Sequence, residues 1–385
     1  FITNEKTYNC KSTRDGDLLL IELIYDPLTV ETSSDLYNQV SHFIQLINKD
    51  DNLTDFCQSI SERVKEITGL DRVMIYKFDD SYNGQVIAEA KNDDLESFYQ
   101  LHYPHTDIPP QARALYLKNH LRSIPDVNYK PVPILSLNES DTNLSLDLSN
   151  SELRSVSPMH IEYLKNMKVG ATLTISIEVK GRLWGLIACH HNSAKYLSHI
   201  ESMAAKLHAY FLSSQIAKWE ESEEYSRMKS KDEMFTKLVN RNANNDSILT
   251  SLKGCEELHE ITDSYGAAVI FDEEMILTGE TPGIEEVKKL KAYFDENNMD
   301  TFYSDHLSNE LPFTENLIAL ASGLLYMSLG AETKSAIMWF RPEYSKTITW
   351  GGDPTIAKSH QGGQLTPRAS FENYTEEVVG RSKEW

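Results

Sequence analysis

Residues 171–191 read ATLTISIEVKGRLWGLIACHH, and the fold class turns on them. Leu173, Ile175, Ile177 and Val179 alternate with Thr172, Thr174 and Ser176. That is the period of two of a strand with one apolar face and one hydroxyl-bearing face. Lys180-Gly181-Arg182 turns the chain, and Leu183–His190 returns as a second strand. Upstream, Arg72–Phe78 is rich in β-branched and aromatic residues and predicts another strand. Asn83-Gly84 signals a hairpin turn before Gln85–Glu89 comes back. Between and around these strands the period changes to that of helices. Residues 34–48 are helical in pattern. Over 53–68, Leu53, Phe56, Ile60, Val64 and Ile67 share one face, with Gly69 at the C-terminal cap. An antiparallel sheet with helices packed on it is an α+β layout.

The rest of the chain extends this plan. Residues 16–25 read as one buried strand, and a lone strand cannot form a domain. From about Tyr196 to Asn240 the pattern is helical, with Met203, Leu207, Tyr210, Ile216 and Trp219 marking an apolar stripe. A helix so long reads as a spine shared by two domains or as part of a dimer interface. A second α+β region follows. Strands are predicted at Ala267–Phe271, Met275–Thr278 and Ser335–Arg341, and helices at Glu285–Phe294 and Ile318–Leu329. Residues 342–385, with Trp350-Gly351-Gly352, Pro354, Gly362-Gly363 and Pro367, read as a long arm and not as a core element.

Composition narrows the function classes. The chain has 385 residues, 40% of them hydrophobic and 25% charged, enough for two or three globular domains. Lys and Arg number 37 against 58 Asp and Glu, a formal charge of −21. That balance argues against a nucleic-acid surface and against docking on an anionic membrane. The four cysteines form no CxxC pair and no disulfide framework, which suits a reducing, cytoplasmic setting. No apolar run is long enough to span a membrane. Both ends of the chain look trimmed.

Four stretches could carry chemistry. In His102-Tyr-Pro-His-Thr-Asp-Ile-Pro-Pro110, prolines fix the backbone around Asp107 and open a helix over Gln111–His120. Such a rigid loop suits holding a ligand, or makes Asp107 a plain turn residue. In Arg154–Met167, Ser157 and Pro158 start a helix that sets His160, Tyr163 and Met167 on one face. His160 is then a ligand group or a satisfied core histidine. Trp184–His191 ends a strand with two histidines, one facing in and one out. Cys189 beside them lies on the opposite face from His190, which spoils a thiol nucleophile or metal site. Thr172, Thr174 and Ser176 form a face for a polar ligand group or for solvent. No Gly-rich phosphate loop, HExxH or serine-nucleophile elbow occurs, and nothing reads as an enzyme.

Together these segments resemble the phytochrome family over most of the chain. The resemblance rests on DRVMIYKFD (71–79), HYPHTDIPPQARALY (102–116), LRSVSPMHIEYLKNM (153–167) and GRLWGLIACHH (181–191), and on WGG (350–352), PRASF (367–371) and YTE (374–376). It implies the tail of a PAS domain at 1–27, a GAF domain at 28–218 and a PHY domain at 219–385. The PHY domain would be GAF-related, joined through the helical spine at 196–240, with its tongue at 342–385. It also implies a bacteriophytochrome-like photoreceptor holding a linear tetrapyrrole. By matched motif, the carbonyl of Asp107 and the ring of His160 would hold the pyrrole nitrogens, with Ile108 and Pro109 beside them. Arg154 and Arg122, with Tyr116 and Ser157, would hold one propionate; Thr172 and Thr174 would hold the other. His190 would bond the D-ring carbonyl, and Met74, Tyr76, Tyr103, Tyr163 and Met167 would line that ring.

Plant and cyanobacterial relatives carry a cysteine where this chain has Met159, so the pattern implies biliverdin. The bacterial branch attaches it through a cysteine ahead of the PAS domain, and Cys10 lies in the wrong context for that. Either that anchor has been cut away or the pigment is held without a covalent bond. The implied mechanism is red/far-red photoconversion by Z/E isomerisation between rings C and D. Ring D would trade His190 for Asp107, breaking or forming the pair with Arg368. The tongue, with Trp350, Pro367, Ser370, Tyr374 and Glu376, would then repack from strand to helix. The spine would carry the signal to a downstream output, most often a histidine kinase with its response regulator, in a parallel homodimer. Two other classes are a GAF-type regulatory module binding another small effector and a hydrolase using Cys189. Bilin uptake separates the first from a photoreceptor, and thiol alkylation tests the second.

Overall fold

A computed structural model describes residues 2–3, 6–16, 18–25, 52–135, 146–243, 252, 254–271, 274–330, 335–355, 360–361, 364–365 and 367–385. The helix predicted over 34–48 lies outside the described residues. The chain divides into two compact units: Phe1–Glu220 with Thr349–Thr375, and Glu221–Ile348 with Glu376–Trp385.

The first unit opens with strands β1 (Ile2–Thr3), β2 (Lys6–Asp15) and β3 (Leu18–Tyr25), which pair antiparallel. The buried strand predicted at 16–25 is instead largely exposed. Leu18, Leu19, Ile21 and Leu23 all face solvent, and among the described residues of β3 Glu22 alone is buried, because no hydrophobic cluster of the described residues includes this hairpin. Helix α1 (Leu53–Thr68) follows. The Asn52 side chain accepts from the Asp55 amide at 2.9 Å, and Gly69 ends the helix at φ 56°. The strands β4 (Arg72–Phe78), β5 (Gly84–Lys91), β6 (His102–Tyr103), β7 (Leu121–Ile124), β8 (Ala171–Val179) and β9 (Arg182–His191) form one sheet in the order β6-β5-β4-β9-β8-β7.

The β4–β5 turn lies one residue earlier than Asn83-Gly84 suggests. Tyr82 takes the left-handed φ of 62°, and Gly84 already belongs to β5. Glycine is required there by packing, since a Cβ would fall 1.8 Å from the Tyr76 ring.

One face of this sheet buries Val73, Ile75, Leu173, Ile175 and Ile177 against Phe56, Ile60 and Val64 of α1. The long helix, His199–Ala243, covers the same face with its first turns. Its buried stripe differs from the predicted one: Ala205, Ala209, Leu212 and Ile216 go inside, whereas Met203 and Tyr210 are 44% and 47% exposed. Small residues let the helix axis approach the sheet closely. The hydroxyl face of β8 is buried as well, so solvent is not its partner. On that face stand the helices Pro110–Lys118 (α2) and Pro158–Asn166 (α3); the long helix is α4.

The second unit carries α5 (Glu257–Glu260), β10 (Gly266–Phe271), β11 (Glu274–Gly279), α6 (Ile284–Glu296), β12 (Thr301–Ser304), α7 (Leu307–Glu310), a 3-10 turn at Pro312–Leu317, α8 (Ile318–Ala321), β13 (Gly323–Ser328) and β14 (Ala336–Arg341). Its sheet order is β11-β10-β14-β13-β12, all antiparallel. The helix predicted over 318–329 stops at Ala321. Residues 323–328 are drawn into a strand between β12 and β14, with Leu324 and Tyr326 buried. Tyr326 stacks on Phe294 of α6 at 4.3 Å.

The remaining strands are β15 (Lys346–Gly351), β16 (His360–Gln361), β17 (Gln364–Leu365) and β18 (Asn373–Val378). Trp350 pairs with His102 of β6, so the large sheet continues through β15 and β18. The predicted arm is therefore no purely external feature, for Trp350, Pro367 and Arg368 are buried in the first unit. Among the described residues no helix is long and apolar enough to cross a membrane.

Candidate functional site

The sheet's second face, together with α2, α3 and the returning segment at Pro367–Arg368, encloses a cavity of about 380 Å³. That is within the ~300–1,000 Å³ typical of ligand pockets. Period-two alternation puts Met74 and Tyr76 of β4, Thr172 and Thr174 of β8 and His190 of β9 on its floor. Arg122 of β7 stands at the edge. Tyr103, Asp107, Ile108, Pro109 and Tyr116 come from the proline-bounded loop and α2. Arg154, Ser157, His160, Tyr163 and Met167 come from α3 and its approach. Every residue nominated for holding a ligand thus lines one cavity, and Pro367 and Arg368 complete the wall. Trp350, Ser370, Tyr374 and Glu376 do not line it. Trp350 instead packs edge-on to His102 at 5.9 Å.

Local physics explains the loop. Pro109 is the N-cap of α2 at φ −66° and Pro110 its first residue, where no amide is missed. The Asp107 amide donates to the Pro104 carbonyl at 3.0 Å, and Arg113 Nη1 donates to the Ile108 carbonyl at 2.6 Å. Asp107 is thereby held so that its carboxylate meets Arg368. Arg368 Nε donates to Oδ1 at 3.1 Å and Nη2 to Oδ2, in a bidentate pair whose side chains are 4% and 7% exposed. Tyr163 Oη donates to the same Oδ2 at 3.2 Å. Asn166 Nδ2 donates to the Arg368 carbonyl at 2.9 Å, and Phe371 meets Tyr163 edge-on at 5.2 Å. Burial alone would lower the Arg368 guanidinium, but the Asp107 carboxylate holds it above its usual value.

At the other end, Arg122 Nη1 donates to the Glu152 carbonyl at 2.6 Å and Nη2 to that of Arg154. Arg154 Nη1 donates to the Ser151 carbonyl at 2.7 Å. Burial, and then Arg154, pull Arg122 down to about 10, which leaves it cationic near neutrality. Ser157 occupies the N-cap position of α3 but its hydroxyl makes no cap bond; it faces the cavity. The Thr172 hydroxyl donates to the Cys189 carbonyl at 2.8 Å.

Between these ends stand two imidazoles. Burial first, then Arg122, lowers His160 to about 4. Burial first, then Arg72 and His160, lowers His190 to about 3. Both are neutral near pH 7, each with one donor and one acceptor nitrogen. His191 turns to the other side, its Nδ1 2.9 Å from Asp71. Cys189 joins the core opposite the cavity and burial pushes its thiol up, so it offers no thiolate to a ligand.

Sequence reasoning missed several participants. Arg72 has the same strand parity as Met74 and Tyr76 and lies across from His190 in register. It pairs with Glu89 at 3.0 Å and stacks on Phe98, a cavity residue, at 3.5 Å. The parity was available in the sequence; the Glu89 partner was not. Met159, Val86, Leu186 and Ala188 add apolar wall.

Chemically, the cavity is cationic at one end, aromatic at the other, and lined by neutral hydrogen-bonding groups between. Among the described residues Arg368 Nη1 is buried there with no hydrogen-bond partner. These groups fit an elongated, largely apolar ligand with carboxylates at one end and polar N–H or C=O groups along it.

Comparison with known proteins places the chain. The GAF domain model matches residues 52–215 and the phytochrome region model matches 231–385. The bacteriophytochrome RpBphP3 from R. palustris superposes with a TM-score of 0.84 at 33% identity, covering 98% of this chain and 76% of that one. The chain belongs to the phytochrome family. The Stigmatella aurantiaca phytochrome photosensory core module is similar too, at a TM-score of 0.80 and 31% identity over 99% of this chain and 76% of that one. Among phytochromes compared by sequence, cyanobacterial phytochrome B of Nostoc sp. is 38% identical over 97% of this chain and 50% of its own length. The bacteriophytochrome of Xanthomonas campestris pv. campestris is 32% identical over 89% of this chain and 56% of its own. This phytochrome-family chain therefore spans about half the length of the curated relatives it matches.

Proposed function

We propose that this chain is the light-sensing core of a red/far-red photoreceptor and that its cavity holds a linear tetrapyrrole, biliverdin. One observation carries the reading. A single cavity joins an arginine pair, two neutral buried imidazoles and a carboxylate, Asp107, bonded to the returning segment through Arg368. A bound tetrapyrrole supplies the red absorption and a double bond that light isomerises. The chain supplies the rest. Arg122 and Arg154, with Tyr116 and Ser157, hold one carboxylate, and Thr172 and Thr174 hold the second. The Asp107 carbonyl and neutral His160 accept from buried N–H groups that would otherwise be costly to desolvate. His190 donates to the polar tip at the aromatic end, among Met74, Tyr76, Tyr103, Tyr163 and Met167. Met159 offers no thiol, which favours biliverdin.

The Asp107–Arg368 pair is the signalling contact. Its exchange frees residues 367–371 from Asp107, and the tongue repacks between two discrete arrangements. Helix α4 carries the change within a parallel dimer to an output such as a histidine kinase acting on a response regulator. The exposed hairpin β2–β3 belongs to a PAS domain. The test is to add biliverdin to the purified chain and record spectra before and after red and far-red light. A red band that shifts reversibly is expected. Folded protein that stays colourless refutes the proposal.

A further inference from the structure

Glu22 is a buried carboxylate, 4% exposed, on the otherwise exposed hairpin β2–β3. Its Oε1 accepts twice from one segment of the cavity wall: from Ser151 Oγ at 2.6 Å and from the Leu153 amide at 2.8 Å. Among the described residues its Oε2 is buried with no hydrogen-bond partner. An ionised carboxylate with an unanswered buried oxygen is costly unless positive charge stands near. The positive charge is there. Glu22 acts on the guanidinium groups of both Arg122 and Arg154, favouring their charged forms.

The segment Glu22 grips is also the one the arginines lean on. Ser151, Glu152 and Arg154 give up their carbonyls to Arg154 Nη1, Arg122 Nη1 and Arg122 Nη2 respectively. Asn119 Nδ2 adds a second donor to the Ser151 carbonyl at 3.0 Å. Lys11, from strand β2, meets Glu152 Oε1 at 2.6 Å on the more exposed side. The hairpin therefore clamps residues 151–154 at two points, and only one of them is buried.

We propose that Glu22 is a positioning residue for the arginine pair: Oε1 fixes residues 151–154 in the shape that aims Arg122 and Arg154, and its charge competes with a ligand carboxylate for both. The inference rests on the reading of the cavity as a site for a carboxylate-bearing ligand. It separates two effects of one side chain, and they have opposite signs. Glu22→Gln keeps an oxygen for Ser151 and Leu153 but removes the competing charge. Glu22→Ala removes the oxygen as well, which leaves the Leu153 amide with its longer bond to Ser151 Oγ at 3.2 Å and takes the acceptor from the Ser151 hydroxyl.

The experiment titrates wild type, E22Q and E22A with biliverdin and with its dimethyl ester, which lacks the two negative charges. In parallel, amide exchange at Leu153 is measured without pigment. For biliverdin, E22Q is expected to bind on the order of three- to tenfold tighter than wild type and E22A roughly tenfold weaker. For the diester, E22Q and wild type are expected to agree within about twofold, since the charge has nothing to repel. Leu153 exchange should rise in E22A and stay level in E22Q. Equal biliverdin affinities in wild type and E22Q, or a gain by E22Q that persists with the diester, overturn the charge role. Unchanged Leu153 exchange in E22A overturns the positioning role. Where E22A does not fold, E22Q and its exchange profile decide alone. A wild-type protein that takes up no biliverdin refutes the proposed function instead, and the exchange data still judge the clamp.

Discussion

Arg368→Ala is the sharpest test of the returning segment. In the wild type the guanidinium and the Asp107 carboxylate are almost fully withdrawn from water, 4% and 7% exposed, and bonded through both ends of the fork. Truncating one partner leaves the other buried without its opposite charge, the Tyr163 hydroxyl at 3.2 Å remaining among its donors. Breaking a buried pair in this way costs about 3–5 kcal/mol. Part returns as Asp107 relaxes toward water, so about 3 kcal/mol of local stabilisation should be lost from residues 367–371. That corresponds to a ~100-fold rise in the open population. The backbone tie from Asn166 to the residue-368 carbonyl survives and keeps the loss local. Hydrogen exchange followed by mass spectrometry should show peptides covering 367–375 exchanging on the order of 100-fold faster, with α1 and β8 unchanged. Biliverdin uptake should persist while photoconversion no longer alters that exchange. A less than roughly threefold change in the segment, or loss of pigment uptake, would refute the reasoning. Arg368→Lys, which keeps charge but loses the fork, should fall between.

Other expectations are equally direct. His160, held down near 4 by burial and Arg122, is neutral in the folded chain but binds a proton below ~6.5 when unfolded. Its stabilising share is fully present above that pH and is lost as pH falls toward 4. Between pH 7.5 and pH 5 the loss should be about 2 kcal/mol in denaturant titrations, and His160→Gln should remove that share of the slope. Gly84→Ala places a methyl 1.8 Å from the Tyr76 ring; about 1–3 kcal/mol of destabilisation and weaker pigment uptake are expected, read by thermal melts and spectra. His190→Ala should leave the fold intact, shift the dark-state band and weaken photoconversion; an unchanged spectrum counts against its role.

How far the sequence carried this picture depends on where the determining contacts lie. Alternation in 171–179 identified β8 because each side chain reports its own face. It did not show that the Thr172–Ser176 face is buried, since burial there depends on helices α2 and α3 packing over it. The run 318–329 suits a helix locally, and only its neighbours β12 and β14 make 323–328 a strand. In α4 the hydropathy pattern favoured Met203 and Tyr210, whereas alanines take the inside because a small side chain permits close approach. The site was more legible than the packing. Prolines around Asp107 and the helical spacing of His160, Tyr163 and Met167 are local signals. Glu22 was invisible because its partner Ser151 is 129 positions away. Arg72 was passed over because a charged residue in a strand usually faces water.

The position of Asp107 favours the proposed signalling role of this cavity over mere storage. Its loop is fixed by Pro109 and Pro110 and braced by Arg113, which limits how far the backbone at Asp107 can follow a moving ligand. A change of partner is then a choice between discrete bonds, with Arg368 and Tyr163 on one side and a ligand group on the other. Driving a two-state element from 1:99 to 99:1 takes about 5.5 kcal/mol. Loss of the buried pair supplies about 3–5 kcal/mol of that. On the proposed reading, the exchange at Asp107 alone would therefore carry the segment to or past the midpoint of that range, against the Asn166 bond to the Arg368 carbonyl.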